Sequence, residues 1–198
     1  MQKNIIYNMK TKIVLFFLFV TTTLLAQKPC EFTTDVKDSI GTYKSTKEYL
    51  VYEKNFGGKA SYIFNSLAIT DGVPSLNVQF IEKSYDFIKA KCFDKTSRLY
   101  IQLNNGKIVT LIHADQNNCG NMIRDDKGMN NRILTGYFLF RRDDFQALKE
   151  SGISYIRIKF STDTEDYIMK KEFTAELDSQ IYKPESYFLD YFHCIEEN

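Results

Sequence analysis

The chain has no tryptophan, three prolines, two histidines and four cysteines among 198 residues. Each shortage excludes something. With little proline and no Pro/Gly/Ser-rich stretch, there is no linker and no low-complexity segment, so disorder is confined to the ends. No close C-x₂₋₄-C pair exists, which argues against a structural zinc site built on His113, His193 and the cysteines. No G-x-S-x-G turn marks a serine hydrolase, and no glycine-rich loop cradles phosphate. Neither sign of charge dominates. The 26 Lys+Arg face 25 Asp+Glu, so there is no electrostatic case for nucleic acid.

Long apolar runs are also scarce. The single one, "IVLFFLFVTTTLLA" (13–26), follows Lys3, Lys10 and Lys12 and ends at Ala26. A basic start, an apolar middle and a small residue at the end are the layout of a secretory signal peptide. The run falls short of the roughly 20 apolar residues of a membrane span. Lys28 and Pro29 before Cys30 do not suit lipid attachment. The expected organisation is therefore a signal peptide at 1–26 and one globular β-rich domain at 27–198, with no membrane span in the mature chain. Three of the 26 basic residues fall in the signal, leaving 23 against 25 acids, a net charge of −2. Export, periplasmic or secreted, is the expected destination.

What is present is alternation of apolar and polar residues, the mark of half-buried strands. It predicts strands at 47–54, 61–70, 75–81, 85–93, 98–103, 107–113, 133–140, 153–160 and 166–173. "RRDDFQALKESG" reads as a short helix, with Asp143 and Gln146 as a capping box and Gly152 as a left-handed close. The last segment, from Pro184, reads as a second helix. Its Tyr187, Phe188, Tyr191, Phe192 and Ile195 share one arc, and a helix docked on a sheet follows. The expected fold class is mainly β (α+β), an antiparallel sheet or sandwich of about eight to nine strands with one short and one C-terminal helix.

"QLNNGKIV" is the strongest local signal. Asn105-Gly106 between alternating runs predicts a two-residue type I′ turn. Opposed residues then sum to 211, so Leu103 faces Ile108, Ile101 faces Thr110 and Leu99 faces Ile112. The same register sets Cys92 opposite Cys119. In an oxidising compartment the pair is expected as a disulfide, contributing about 3–4 kcal/mol. Elimination leaves Cys30 with Cys194, joining the two ends of the mature chain.

Three chemistries remain to weigh. A Cys119 nucleophile with His113 as base would need the loop to fold back, and a disulfide removes the thiol. A glycosidase needs two placed carboxylates, and no pair stands out. Calcium would suit the oxygen-rich 114–132 stretch, yet the spacing matches only fragments of an EF-hand loop, and turn chemistry accounts for the residues. No catalytic residue, metal or cofactor is therefore assigned. The 114–132 stretch is the longest without a periodic pattern, and long loops in compact domains often carry function. Asp115, Asn117, Asn118, Asp125, Asp126 and Asn130 are the candidate binding residues. The expected function is an exported, disulfide-stapled, non-enzymatic domain that binds a protein, peptide or glycan partner. The alternative is an exported hydrolase with an acidic or metal-dependent active site.

Overall fold

The computed structural model describes residues 28–114 and 117–196. The expected signal at 1–26 and the candidate residue Asp115 lie outside them. Within them the fold is mostly antiparallel β with two short helices. Strands β1 (Phe32–Lys37), β2 (Thr42–Thr46), β3 (Tyr49–Phe56), β4 (Lys59–Thr70), β5 (Val73–Ser84), β6 (Arg98–Leu103), β7 (Ile108–His113), β8 (Asn121–Arg124), β9 (Asn130–Leu139), β10 (Ile153–Lys159) and β11 (Thr164–Ile168) form one sheet. Its order is β1-β2-β4-β5-β9-β7-β6-β10-β11, with β3 also on β4 and β8 also on β9. A two-residue-per-strand ribbon, β12 (Phe173–Thr174) and β13 (Ile181–Tyr182), stands apart. Helix α1 (Phe145–Glu150) and helix α2 (Tyr187–Tyr191) complete it, α2 flanked by 3₁₀ turns Pro184–Ser186 and Phe192–Ile195.

The sheet curls so that its last strand meets its first half. Tyr52 on β3 and Tyr167 on β11 touch with ring centroids 5.0 Å apart, and Phe80 on β5 lies 5.5 Å from Phe160. No backbone ladder joins β11 to β3 or β5 among the described residues; side chains close this seam. Lys91 lies across it, its Nζ 3.0 Å from Glu82 of β5 and 2.9 Å from Glu165 of β11. Burial pulls the ammonium down, and the hydrogen bonds to Glu165 and Glu82 outweigh it, so its pKa is raised. The enclosed core takes Leu76, Leu99, Ile101, Leu111, Phe138 and Ile158 from five strands. On the outer face of β3 and β4, the β12–β13 ribbon covers Leu50 and Tyr62, with Ala175 packed between. Both Leu50 and Val51 are therefore buried, on opposite faces of one strand.

Several expectations need correction. The stretch 85–93 is not a strand. The chain leaves β5 at Ser84, and its carbonyls are held by side chains instead of a ladder: Asn130 donates to Tyr85 and Asp86, Arg132 to Ile88. The 114–132 stretch is not a long loop, since Asn121–Arg124 pairs with Asn130–Ile133 as a hairpin. All four β8 residues are exposed, so no face-to-face alternation could mark the strand. β1 escaped for a similar reason, being largely exposed on the sheet's edge, and β2, between β1 and β4, buries Ser45 and Thr46, which carry no apolar signal. Eleven strands share the sheet instead of eight or nine. The α1 capping box does not form: Arg142–Asp144 is a 3₁₀ turn, no side chain caps the helix, and Gln146 donates to Glu150. Gly152 is not among the residues in the left-handed region.

The β6–β7 hairpin differs by one residue. Leu99 pairs with Leu111 and Ile101 with Val109, so the sum is 210. Only Gly106 of the turn has positive φ, at 85°, whereas a type I′ turn needs two such residues. Asn104, Asn105 and Gly106 make a three-residue loop closed by Leu103 N–H to the Lys107 carbonyl at 2.9 Å. Because the shift is one residue, the faces exchange. Val109 and Leu111 are buried and Ile108 is exposed. The two-residue turn occurs elsewhere, at Asp71-Gly72, where both residues have positive φ and Thr70 pairs with Val73.

Both expected disulfides are formed, Cys30–Cys194 and Cys92–Cys119. The second arises by a different route from the one the turn implied. The outgoing segment carries one more residue than the incoming one beyond the ladder, which restores the sum of 211 at a lone bridge, Phe93 with Asn118. Those two exchange backbone hydrogen bonds of 2.7 and 3.0 Å. Cys92 and Cys119 are thus the adjacent, closer kind of pair, with Cα atoms 3.9 Å apart.

Candidate functional site

Of the candidate binding residues, Asn118, Asp125 and Asn130 spend polar atoms on the surrounding fold. Asn118 donates to the Thr135 carbonyl and accepts from Gly120 N–H. Asp125 accepts from the Lys127 and Met129 amides and from the Asn131 side chain. These bonds, Asn131's first, hold its carboxyl below the usual range. Asn130 ties down the 85–86 carbonyls. Asn117 and Asp126 are exposed. Among the described residues, no group with metal-ligand spacing includes Asp125 or Asp126. Cys119 is bonded to Cys92 and offers no thiol. His113 is buried against Phe93 and Phe138, with ring centroids 5.2 and 5.3 Å away.

The structure assembles a different site, at the joined termini. Tyr49 opens β3, Tyr182 closes β13, and Tyr187 and Tyr191 lie one turn apart on α2. Their rings converge: Tyr49 is 5.1 Å from Tyr182 and 5.4 Å from both Tyr187 and Tyr191. They line a cleft of about 340 Å³ whose other wall is Lys28, Pro29 and Glu31. The Cys30–Cys194 bond fixes that wall against α2. The Glu31 carbonyl accepts from Lys47 N–H at 2.8 Å, which orients the strand leading into it.

Each tyrosine is held in place. The Tyr49 hydroxyl accepts from Lys183 N–H at 2.7 Å. Tyr182 donates to Asp178 at 2.6 Å, and burial together with that carboxylate pushes its phenol up. Tyr187 is 1% exposed, and burial raises it strongly. Tyr191 stays half-buried with Lys28 Nζ 5.4 Å over its ring. Lys28 in turn meets Asp190 at 2.9 Å; burial lowers this ammonium and the Asp190 contact more than compensates. Lys47 and Glu31 pair at the rim, 3.3 Å apart. The result is rigid aromatic walls under a rim of hydrogen-bonding and charged groups, the make-up of small-ligand sites.

The sequence pattern predicts a helix docked on a sheet here and no cleft. The helical arc holds Tyr187 and Tyr191, whereas Tyr49 and Lys28 arrive from segments more than 130 residues distant along the chain and Tyr182 from the neighbouring β12–β13 ribbon. A second feature lies behind it. Helical spacing places His193 on the polar side of the arc, diverging from Cys194. Its Nε2 instead stands 3.2 Å from Cys30 Sγ and 3.7 Å from Cys194 Sγ. Among the described residues this is the group with metal-ligand spacing, but its two sulfurs are bonded to each other.

No family model, no curated protein and no solved structure matches this chain. The two disulfides fit a non-reducing environment, and no helix among the described residues is long and apolar enough to cross a membrane.

Proposed function

We propose that the protein is an exported, non-enzymatic binding domain whose tyrosine cleft takes a short glycan segment. The convergence of Tyr49, Tyr182, Tyr187 and Tyr191 under a polar rim carries this reading. Sugar rings offer flat C–H faces that stack on aromatics and hydroxyls that pair with a mixed rim. The rim of Lys28, Glu31, Lys47, Glu48 and Gln180 supplies donors and acceptors of both kinds. The disulfide and the ion pair on Asp190 pre-organise the wall, which lowers the ordering cost of binding.

The test is an array of neutral and acidic oligosaccharides, followed by calorimetric titration of any hit. Tyr191→Ala, at the half-buried lip, is expected to weaken binding at least tenfold with folding intact. No oligosaccharide bound, or equal binding by the variant, refutes the glycan reading.

The Glu82–Lys91–Glu165 group favours a second reading, an exported hydrolase. It lines a cleft of about 410 Å³ with Tyr167, which donates to Glu165 at 2.5 Å. Lys91 sits between the two carboxylates, a placement suited to closing the seam. A substrate-dependent rate lost in Glu165→Gln would favour the hydrolase; no rate on polysaccharide or peptide substrates counts against it.

A further inference from the structure

The end of the sheet opposite the cleft carries exposed apolar residues inside a basic surround. Phe56 is 80% exposed, Phe87 73%, Tyr85 65% and Ile123 57%. They are scattered in sequence, and the strand ends that carry them are adjacent in the sheet, Ile123 on the opposite face from Phe56. Pairing runs from Phe56 to Lys59, from Lys59 to Ser84, from Ser84 to Asn130 and from Asn130 to Arg124. Four steps of about 4.8 Å make a rim roughly 20 Å wide. Tyr85 and Phe87 follow Ser84 directly, and Asn130 holds that segment by the Tyr85 and Asp86 carbonyls at 3.4 and 3.0 Å. Exposure of two phenylalanines and a tyrosine on one rim has no use in packing.

Charge says what covers the rim. Residues 54–59, 83–90 and 121–132 hold seven Lys+Arg against three Asp+Glu, a net +4. Residues 27–198 together carry −2, so the rest of the chain is −6 and the rim stands out. Lys54, Lys59, Lys89, Arg124 and Lys127 are exposed. Of the three acids, Asp125 is occupied by its own turn. Behind Phe56, Glu53 accepts from the Glu176 and Leu177 amides, and Glu176 accepts from Asn55.

We infer that this rim docks on an anionic lipid surface, with Phe56, Tyr85 and Phe87 entering the headgroup boundary and the lysines meeting phosphates. Aromatics for the acyl boundary and lysines for the headgroups are the make-up of interfacial membrane anchors. β3 places the rim seven residues, roughly 23 Å at about 3.3 Å per residue, from Tyr49, so a docked molecule holds its cleft away from the bilayer. The inference stands independently of what the cleft binds.

The test uses the chain beginning after Ala26, so that the apolar N-terminal run takes no part. It is sedimented with vesicles of phosphatidylcholine alone or with 30% phosphatidylglycerol. Binding is expected on the anionic vesicles at low salt, with loss at 0.5 M salt and little binding to phosphatidylcholine alone. Phe56→Ser with Phe87→Ser abolishes it. Lys59→Gln with Lys127→Gln weakens it about 30-fold, from roughly 1 kcal/mol per basic residue near an anionic surface. Phe87→Trp gives a single reporter in a chain without tryptophan, and its emission shifts to the blue on the vesicles. All these positions are exposed, and near-UV circular dichroism checks the fold. Absence of binding, equal binding by the serine variant, or binding only to soluble poly-glutamate or to a second copy of the chain overturns the inference.

Discussion

Removing the two disulfides one at a time separates two ways of holding the chain. Cys92–Cys119 spans 27 positions and Cys30–Cys194 spans 164. If a disulfide acts mainly by restricting the unfolded chain, its contribution grows with the logarithm of the loop it closes. That relation gives about 3.5 kcal/mol for the short loop and about 5 kcal/mol for the long one. Replacing both cysteines of a pair by alanine removes little else. The cystine at 92–119 is partly exposed, and only Cys194 of the terminal pair is buried. Equilibrium urea unfolding at neutral pH measures both variants. With a slope of about 2 kcal/mol/M, the midpoints fall by roughly 1.8 M and 2.5 M. Near-UV circular dichroism confirms that each variant still folds. The decisive quantity is the order. If Cys92→Ala/Cys119→Ala costs as much as Cys30→Ala/Cys194→Ala or more, the entropic reasoning fails. The short bridge would then act through the native packing around Phe93 and Asn118.

Three further outcomes follow from the geometry. A Cβ on Gly136 would stand 2.6 Å from the Phe93 ring and 3.1 Å from that of Phe138. Gly136→Ala should therefore cost about 1–3 kcal/mol by urea unfolding, with partial recovery on adding Phe93→Leu; a neutral substitution contradicts the described packing. Gly106, at φ +85°, has nothing within 4 Å of a Cβ, so Gly106→Ala isolates backbone strain of about 1–2 kcal/mol. An unchanged urea midpoint would refute the three-residue turn. Asp125 has its carboxyl lowered by Asn131 and the Met129 amide from an ordinary 3.8. A depressed folded value contributes stability that is present above the ordinary value and lost as pH falls through the folded one. Acid unfolding of the wild type should steepen below about pH 4 on this account, and Asp125→Asn should flatten that part of the profile while lowering stability at neutral pH. Parallel profiles would show that Asp125 does not hold its turn.

Much of this protein follows from local pattern. The alternation in β4, β5, β6, β9 and β10 puts one face of each strand inward. In β10, Ile156 and Ile158 are buried while Arg157 and Lys159 are exposed. The C-terminal arc did the same for Tyr187, Phe188, Phe192 and Ile195, all buried. Four cysteines with a near-opposed inner pair were enough to name both disulfides. These features depend on neighbours two to four residues apart, so a linear chain displays them.

The tertiary structure decided the rest. Whether Asn105 takes positive φ sets the register of β6 and β7, and the choice goes to whichever face meets the core. That core is built by strands from the whole chain, so Val109 and Leu111 won the inside over Ile108 and Ile112. β8 is exposed on every residue and shows no period to read. The tyrosine cleft needs residues 28–31, 46–49 and 180–191 in one place, and the basic aromatic rim needs five strand ends aligned. Neither leaves a trace in any short window. Local sequence can specify which way a side chain faces, whereas only closure of the sheet specifies which distant side chain it meets.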